Sequence, residues 1–371
     1  MDTLRAKLYA ILWLLKKEIL VTLKDPRSRV VLIIPVFIQG VLFGYTATFN
    51  LDRIPYAALD LSHSQYSEAF FAKLDGTGIF KRVVTLQNTA QISQAIDKGE
   101  AIAVITVNSD FANNLINQKK ADVQVITDGR NPVTSGLIQS YVASVAGLYQ
   151  QQLNGHTPLI NVVSRVWYNP NLITQWMFLP SMMPMLALTQ VMILAGLSVA
   201  RERENGTFDQ LLVTPLEPLE ILIGKAGLPL LVGLTHGTIM LLLAMFWFNV
   251  PMVGSLFVLY VTLFVFLLSV IGIGLSVSAV SSTMQQVMVY SFSLLLPIIL
   301  LSGMATPIRA MPTSMQYLTY INPMRFAVDA IRRIYLEGAG FSLIVFDYIP
   351  MLIIAAITLP FAAWLFRHKL S

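Results

Sequence analysis

The chain contains no cysteine, which removes disulfides, thiolate metal sites and thiol redox chemistry together. Charge is nearly as scarce: 12% of the 371 residues are charged against 55% hydrophobic, too little to clothe soluble domains of this size. Six stretches carry no Asp, Glu, Lys or Arg at all: 30–49, 174–200, 226–248, 252–280, 287–306 and 348–366. At about 1.5 Å of rise per residue, each is long enough for a helix to cross a hydrocarbon core of about 30 Å. The absence of carboxylates from these spans weakens any reading as a proton- or sodium-coupled transporter, which holds its coupling ion with intramembrane acids. His236, in the third span, is the exception. It is either a proton carrier or substrate contact, or a neutral residue hydrogen-bonded to a neighbouring helix. No phosphate-cradling loop is present: at Gly224-Lys225 the upstream glycine is replaced by Leu219 and the hydroxyl residue by Ala226. The four histidines are scattered and no metalloprotease helix motif occurs, so neither a metal nor a catalytic set is expected.

The spans predict a membrane α-helical protein. Before the first of them, residues 1–29 place Leu4, Leu8, Ile11, Leu15 and Ile19 at helical spacing, with Arg5, Lys16, Lys17 and Lys24 mostly opposite. This is an amphipathic helix lying either on an anionic membrane surface or on the protein's own end. The first span itself is too long in its apolar part for a removable signal peptide, and this segment precedes it, so the span is expected to stay as an anchor. Basic residues cluster before the first span, between the second and third, and after the last, which places both termini in the cytoplasm. Arg309, Arg325, Arg332 and Arg333, between spans five and six, run against that distribution.

Residues 50–173 form a polar insert after the first span. Strand patterns at 55–61, 82–86, 101–107 and 123–127 alternate with helical ones at 67–74, 89–98, 111–117 and 133–153. The alternation predicts an inserted extracytoplasmic α/β domain, a sheet covered by helices. Asp60, Ser62 and His63 lie close together in sequence, but neighbours at a strand end read as a turn rather than a hydrolytic triad.

Two segments are capped with unusual clarity. After the second span comes Arg201-Glu202-Arg203-Glu204-Asn205-Gly206. Gly206 suits the position that ends a helix, Thr207 with Gln210 makes a capping box for the next, and Pro215 stops it. Within that short helix, 207–214, Phe208, Leu211 and Leu212 share one face while Asp209 points elsewhere. It is either an apolar knob for a partner's groove or an ordinary connector on the lipid surface. After the fifth span, Ser302-Gly303 is followed by Pro307, and Asn322 with Pro323 opens a helix that Gly338 closes. Met324, Val328, Ile331 and Tyr335 form its apolar face, and segment 307–338 as a whole reads as interfacial or re-entrant.

The Arg203-to-Pro215 stretch, the Ser302-Gly303 turn with its prolines and the Asn322-Pro323 helix together resemble the permease subunit of a type-2 ABC exporter, in the branch with a large outer domain. The most specific part is Glu204, Gly206, Thr207, Thr214 and Pro215. Asp209 stands where the family often has Glu. The resemblance implies a six-span half-transporter of the bacterial inner membrane, paired with a second permease copy or a homologous one. Separate nucleotide-binding subunits would hold ATP and Mg, this chain binding no cofactor. Glu202 to Pro215 would couple to that ATPase through helix 207–214, and Ser302, Gly303, Pro307, Asn322 and Pro323 would form an outer gate. Lipid and a periplasmic adaptor are further implied contacts, nucleic acid is not, and a drug-like or hydrophobic, cationic compound is the implied cargo. The alternatives are a secondary transporter or a membrane sensor acting through its outer domain.

Overall fold

The computed structural model of the chain describes residues 2–24, 26–46, 53–127, 132–154, 173–204, 206 and 218–368. It divides into two compact units, 48–165 and the remainder formed by 1–47 with 166–371. Two helices precede the smaller unit, α1 (Asp2–Lys24) and α2 (Pro26–Thr46). Pro26 at the first turn of α2 is tolerated because its missing N–H has no partner there in any helix.

The smaller unit is built on a four-stranded sheet in the order β2-β1-β3-β4, with β1 at Ile54–Asp60, β2 at Phe80–Leu86, β3 at Ala103–Val107 and β4 at Val123–Thr127. β1 runs parallel to β2 and β3, and β4 closes antiparallel on β3. Parallel neighbours need crossovers. They are α3 (Gln65–Asp75), between β1 and β2, and α4 (Gln91–Asp97), between β2 and β3; α5 (Phe111–Ile116) and α6 (Pro132–Asn154) also belong to the unit. The period of two along β1 sends Tyr56 and Ala58 to a core with Phe70, Phe111, Ile138 and Val142, and Ala57 and Leu59 to a second core with Val104 and Ala95. Burial pushes the Tyr56 phenol well above its usual pKa. Its hydroxyl donates to Asp75 Oδ1 at 2.7 Å and accepts from Arg82 Nε at 3.2 Å, joining β1, α3 and β2.

The larger unit is a bundle of α1, α2, α7 (Thr174–Glu204), α8 (Pro218–Leu242), α9 (Leu256–Val280), α10 (Met284–Leu300), the short α11 (Thr313–Leu318), α12 (Pro323–Arg332) and α13 (Phe341–His368). Among the described residues, four helices are long and apolar enough to cross a membrane: Thr174–Glu204, Glu220–Trp247, Leu256–Val280 and Phe341–His368. Leu32–Thr46 and Met284–Leu300 are shorter apolar helices. Where a span of 287–306 is expected from charge alone, α10 stops at Leu300, because Pro297 lies in its last turn and Gly303 takes a φ of +80°. The helix from Glu220 widens into a π turn at Leu243–Trp247, and α12 runs into another at Arg333–Glu337 before Gly338, at φ +70°, ends it.

Close packing depends on small residues. On α2, Gly40 faces Met240 and Leu243 and Gly44 faces Phe248, so this glycine pair seats α2 on its own chain. α9 lies against α7 and α13. Gly272 leaves no room for a Cβ beside Thr358, and Ser269 Oγ donates to the Met351 carbonyl at 2.6 Å.

Candidate functional site: the two ends of the helical bundle

The last turn of α7 is where chemistry concentrates at one end of the bundle. Three consecutive side chains leave it in three directions. Glu202 meets Lys225 of α8, with Lys225 Nζ 2.9 Å from Glu202 Oε1. Arg203 Nη1 donates to the carbonyls of Ala279 and Ser281 at 3.0 and 3.1 Å, at the C-terminus of α9. Glu204 Oε2 accepts from the Met284 N–H at 2.8 Å, at the N-terminus of α10. The cation sits on orphan carbonyls and the carboxylate on an orphan N–H, the arrangement the helix dipoles favour. Gly206, at φ +70°, donates its N–H back to the Arg203 carbonyl.

Lys225 is 2% exposed. Its ammonium donates to the Ser198 carbonyl at 3.0 Å and lies 3.7 Å from Glu18 of α1, in addition to Glu202. α1 is therefore packed against the bundle by one face: Gly224 and Gly227 of α8 receive Leu14 and Leu15, and Lys7 pairs with Glu220 at 2.9 Å. Its other face leaves Tyr9, Leu12, Trp13 and Leu20 exposed, with Lys16 over the Trp13 ring. Thr207, Phe208, Asp209, Leu211, Leu212, Thr214 and Pro215 lie outside the described residues.

The other end is about 30 Å away along α7, from Glu202 back to Ser181. There a cavity of about 540 Å³ is lined by Ser302, Gly303, Pro307, Arg325, Arg332 and Asp347, among others. Arg332 donates from Nε to Ser181 Oγ at 2.6 Å, and from Nη1 and Nη2 to the carbonyls of Gly303 and Met304 at 3.3 and 3.2 Å. Asn322 caps α12 by accepting from the Met324 N–H at 3.0 Å and donates from Nδ2 to the Ile298 carbonyl of α10 at 2.7 Å. Pro323 is the first residue of α12. Ser302 Oγ donates to the Ile299 carbonyl at 2.7 Å, and Pro307 precedes a short 3₁₀ turn at Ile308–Ala310. Arg333 lies within 3.9 Å of Asp329, 3.7 Å of Glu337 and 3.5 Å of Asp347. Thus Ser302, Gly303 and Pro307 share one cavity, while Asn322 joins the helices that flank it.

His236, 1% exposed on α8, has its Nε2 2.8 Å from the Leu32 carbonyl of α2. It is a fastening between two helices. Met182, Met183 and Met192 are buried in the bundle core, whereas Met177 is exposed. In the smaller unit, Asp60 accepts from the N–H groups of Ser62 and His63 and from Ser67 Oγ, which makes that trio a turn. Sequence reasoning missed the partners of Lys225, Arg332 and Asp347. For Lys225 and Asp347 the signal was an isolated charge among apolar residues, which marks a paired or functional group.

Residues 27–364 match the model of a family described as ABC-2 family transporter protein. Over 362 residues the chain is 37% identical to "Probable multidrug ABC transporter permease YbhR" of Escherichia coli (strain K12), a match covering 96% of this chain and 98% of that one. It is 29% identical over 329 residues to "Probable multidrug ABC transporter permease YbhS" of the same strain, covering 87% of each. With "Inner membrane transport permease YhhJ", also of that strain, it shares 27% identity over 368 residues and 96% of each chain.

Proposed function

Because the chain belongs to the ABC-2 family of transporter proteins, we propose that this multi-pass membrane permease is one half of an ATP-driven exporter. What carries the reading is the end-to-end correspondence with YbhR, which leaves no part of the relative's length without a counterpart large enough to be a domain. In this reading the four long apolar helices, with α2 and α10, make six spans, and both termini lie in the cytoplasm. The end of α7 then faces a separate nucleotide-binding subunit, which holds ATP and Mg, and segment 207–214 is the contact. The cavity under Arg332 is on the outer side, and the Ser302-Gly303 turn with Pro307, Asn322 and Pro323 is the gate. A second permease copy or a homologous one completes the pathway. The exposed face of α1, with Trp13 and Lys16, suits an anionic lipid surface. The unit at 48–165 is outside the cell membrane, where it recruits an adaptor or steadies the pair. The word multidrug in the name of YbhR supports a drug-like cargo, in this reading a hydrophobic or cationic compound.

The test is reconstitution. The chain co-expressed with a nucleotide-binding subunit should copurify with it and move a hydrophobic cation out of cells in an ATP-dependent manner. Replacing Phe208 and Leu211 together by Asp should abolish both while leaving membrane insertion intact, because an unpaired charge buried in an interface costs several kcal/mol. Export driven by an ion gradient with the ATPase absent would overturn the reading.

A further inference from the structure

Lys225 is a buried cation that carboxylates from two other helices approach. Its side chain is 1% exposed, between Glu202 at 2.9 Å and Glu18 at 3.7 Å, and Lys17 of α1 lies 4.0 Å from both carboxylates. The same ammonium donates to the Ser198 carbonyl at 3.0 Å, one turn before Glu202. Three helices, α1, α7 and α8, therefore meet on one nitrogen. A buried cation that loses one of two carboxylates is left poorly compensated, so these helices resist separation. The neighbouring residues extend the fastening: Arg203 holds the end of α9 and Glu204 the start of α10. Segment 207–214 follows directly, so whatever displaces it pulls first on this turn.

We propose that Lys225 is a positioning residue that makes α1 and the cytoplasmic ends of α7 and α8 move as one body during transport. It transmits displacement of segment 207–214 to the spans, and α1 does not swing free of α8. The proposal rests on the exporter reading above and adds a defined joint to it. Two measurements on the full chain with its nucleotide-binding subunit test it.

The first uses the absence of native cysteine. A Cβ on Gly224 would lie 3.3 Å from Leu14 Cβ, close to disulfide geometry. The Leu14→Cys, Gly224→Cys chain, oxidised, should export at the rate of its reduced form. Loss of export on oxidation, restored by reductant, would show that α1 must leave α8 and would overturn the proposal.

The second is a charge removal. Glu202→Gln and Lys225→Met singly should each lower substrate moved per ATP hydrolysed about tenfold, with ATP hydrolysis itself within about twofold of wild type. The double variant should lose no more than either single, because both changes break the same joint. Losses that multiply in the double variant, or singles that keep the ratio unchanged, would overturn the joint. Should the singles fail to accumulate, the disulfide result decides alone. Failure of the wild-type chain to export with any ATPase is a different outcome, and it sinks the exporter reading itself.

Discussion

Arg332 illustrates how much one planar cation can organise. Its three nitrogens meet Ser181 on α7 and two successive carbonyls of the turn after α10, so three chain segments share one guanidinium. An ammonium puts its donors on a single nitrogen and does not reproduce the spread of the three guanidinium nitrogens. Arg332→Gln should therefore lower the stability of the detergent-solubilised protein by about 3 kcal/mol, and Arg332→Lys should recover only part of it. The measurement is denaturant or thermal unfolding, and a loss under about 0.5 kcal/mol for the glutamine variant would mean that the three bonds contribute nothing net. Gly303, on the same turn, combines a φ of +80° with Ile308 about 3.0 Å from where a Cβ would stand. An alanine there is strained in backbone and crowded in side chain.

At the scale of elements, α12 shows two roles for one residue. Asn322 accepts from the Met324 N–H and donates to the Ile298 carbonyl. Asn322→Asp keeps the acceptor and removes the donor, whereas Asn322→Ala removes both. The alanine variant should lose about 2 kcal/mol and the aspartate variant about half of that; equal losses in an unfolding series would show that only the bond to α10 matters. The cap was legible in the sequence because Asn-Pro at a helix start is local chemistry, and so was the strand at Val123–Thr127, whose apolar residues are bounded by polar turns. The apolar face Met324, Val328 and Ile331 was legible for the same reason. The π turn that follows was not, and it buries both Ile334 and Tyr335 where a regular turn would favour one of them. Nor does periodicity reveal that Lys225 would meet Glu18 or that Arg332 would meet Ser181. Those pairs are separated by 207 and 151 positions respectively, and only packing brings them together. The end of α10 was misplaced because absence of charge measures apolar length, not helix, and a proline followed by a positive-φ glycine ends the helix first.

For the whole molecule, the orientation has a direct test. Lys120 is 87% exposed at its side chain, and Lys24 is exposed at the end of α1. A cysteine at position 120 should react with an impermeant thiol reagent in intact spheroplasts, and one at position 24 only after permeabilisation; the reverse pattern would invert the topology. The hydroxyls that bind α9 to α13 bear on the molecule in another way. Thr262 Oγ1 reaches Tyr348, Ser269 Oγ the Met351 carbonyl and Ser276 Oγ the Thr358 carbonyl. Each also has its own helix's carbonyl four residues back, at Val258, Val265 and Gly272. Ribosomes deliver α9 to the bilayer some 80 residues before α13, so these groups spend that interval without their eventual partners. A hydroxyl that leans on its own backbone in the meantime can enter lipid already satisfied. Biosynthesis thus proceeds with these three hydroxyls satisfied in the interval, and the later helix completes a contact that the earlier one has held ready.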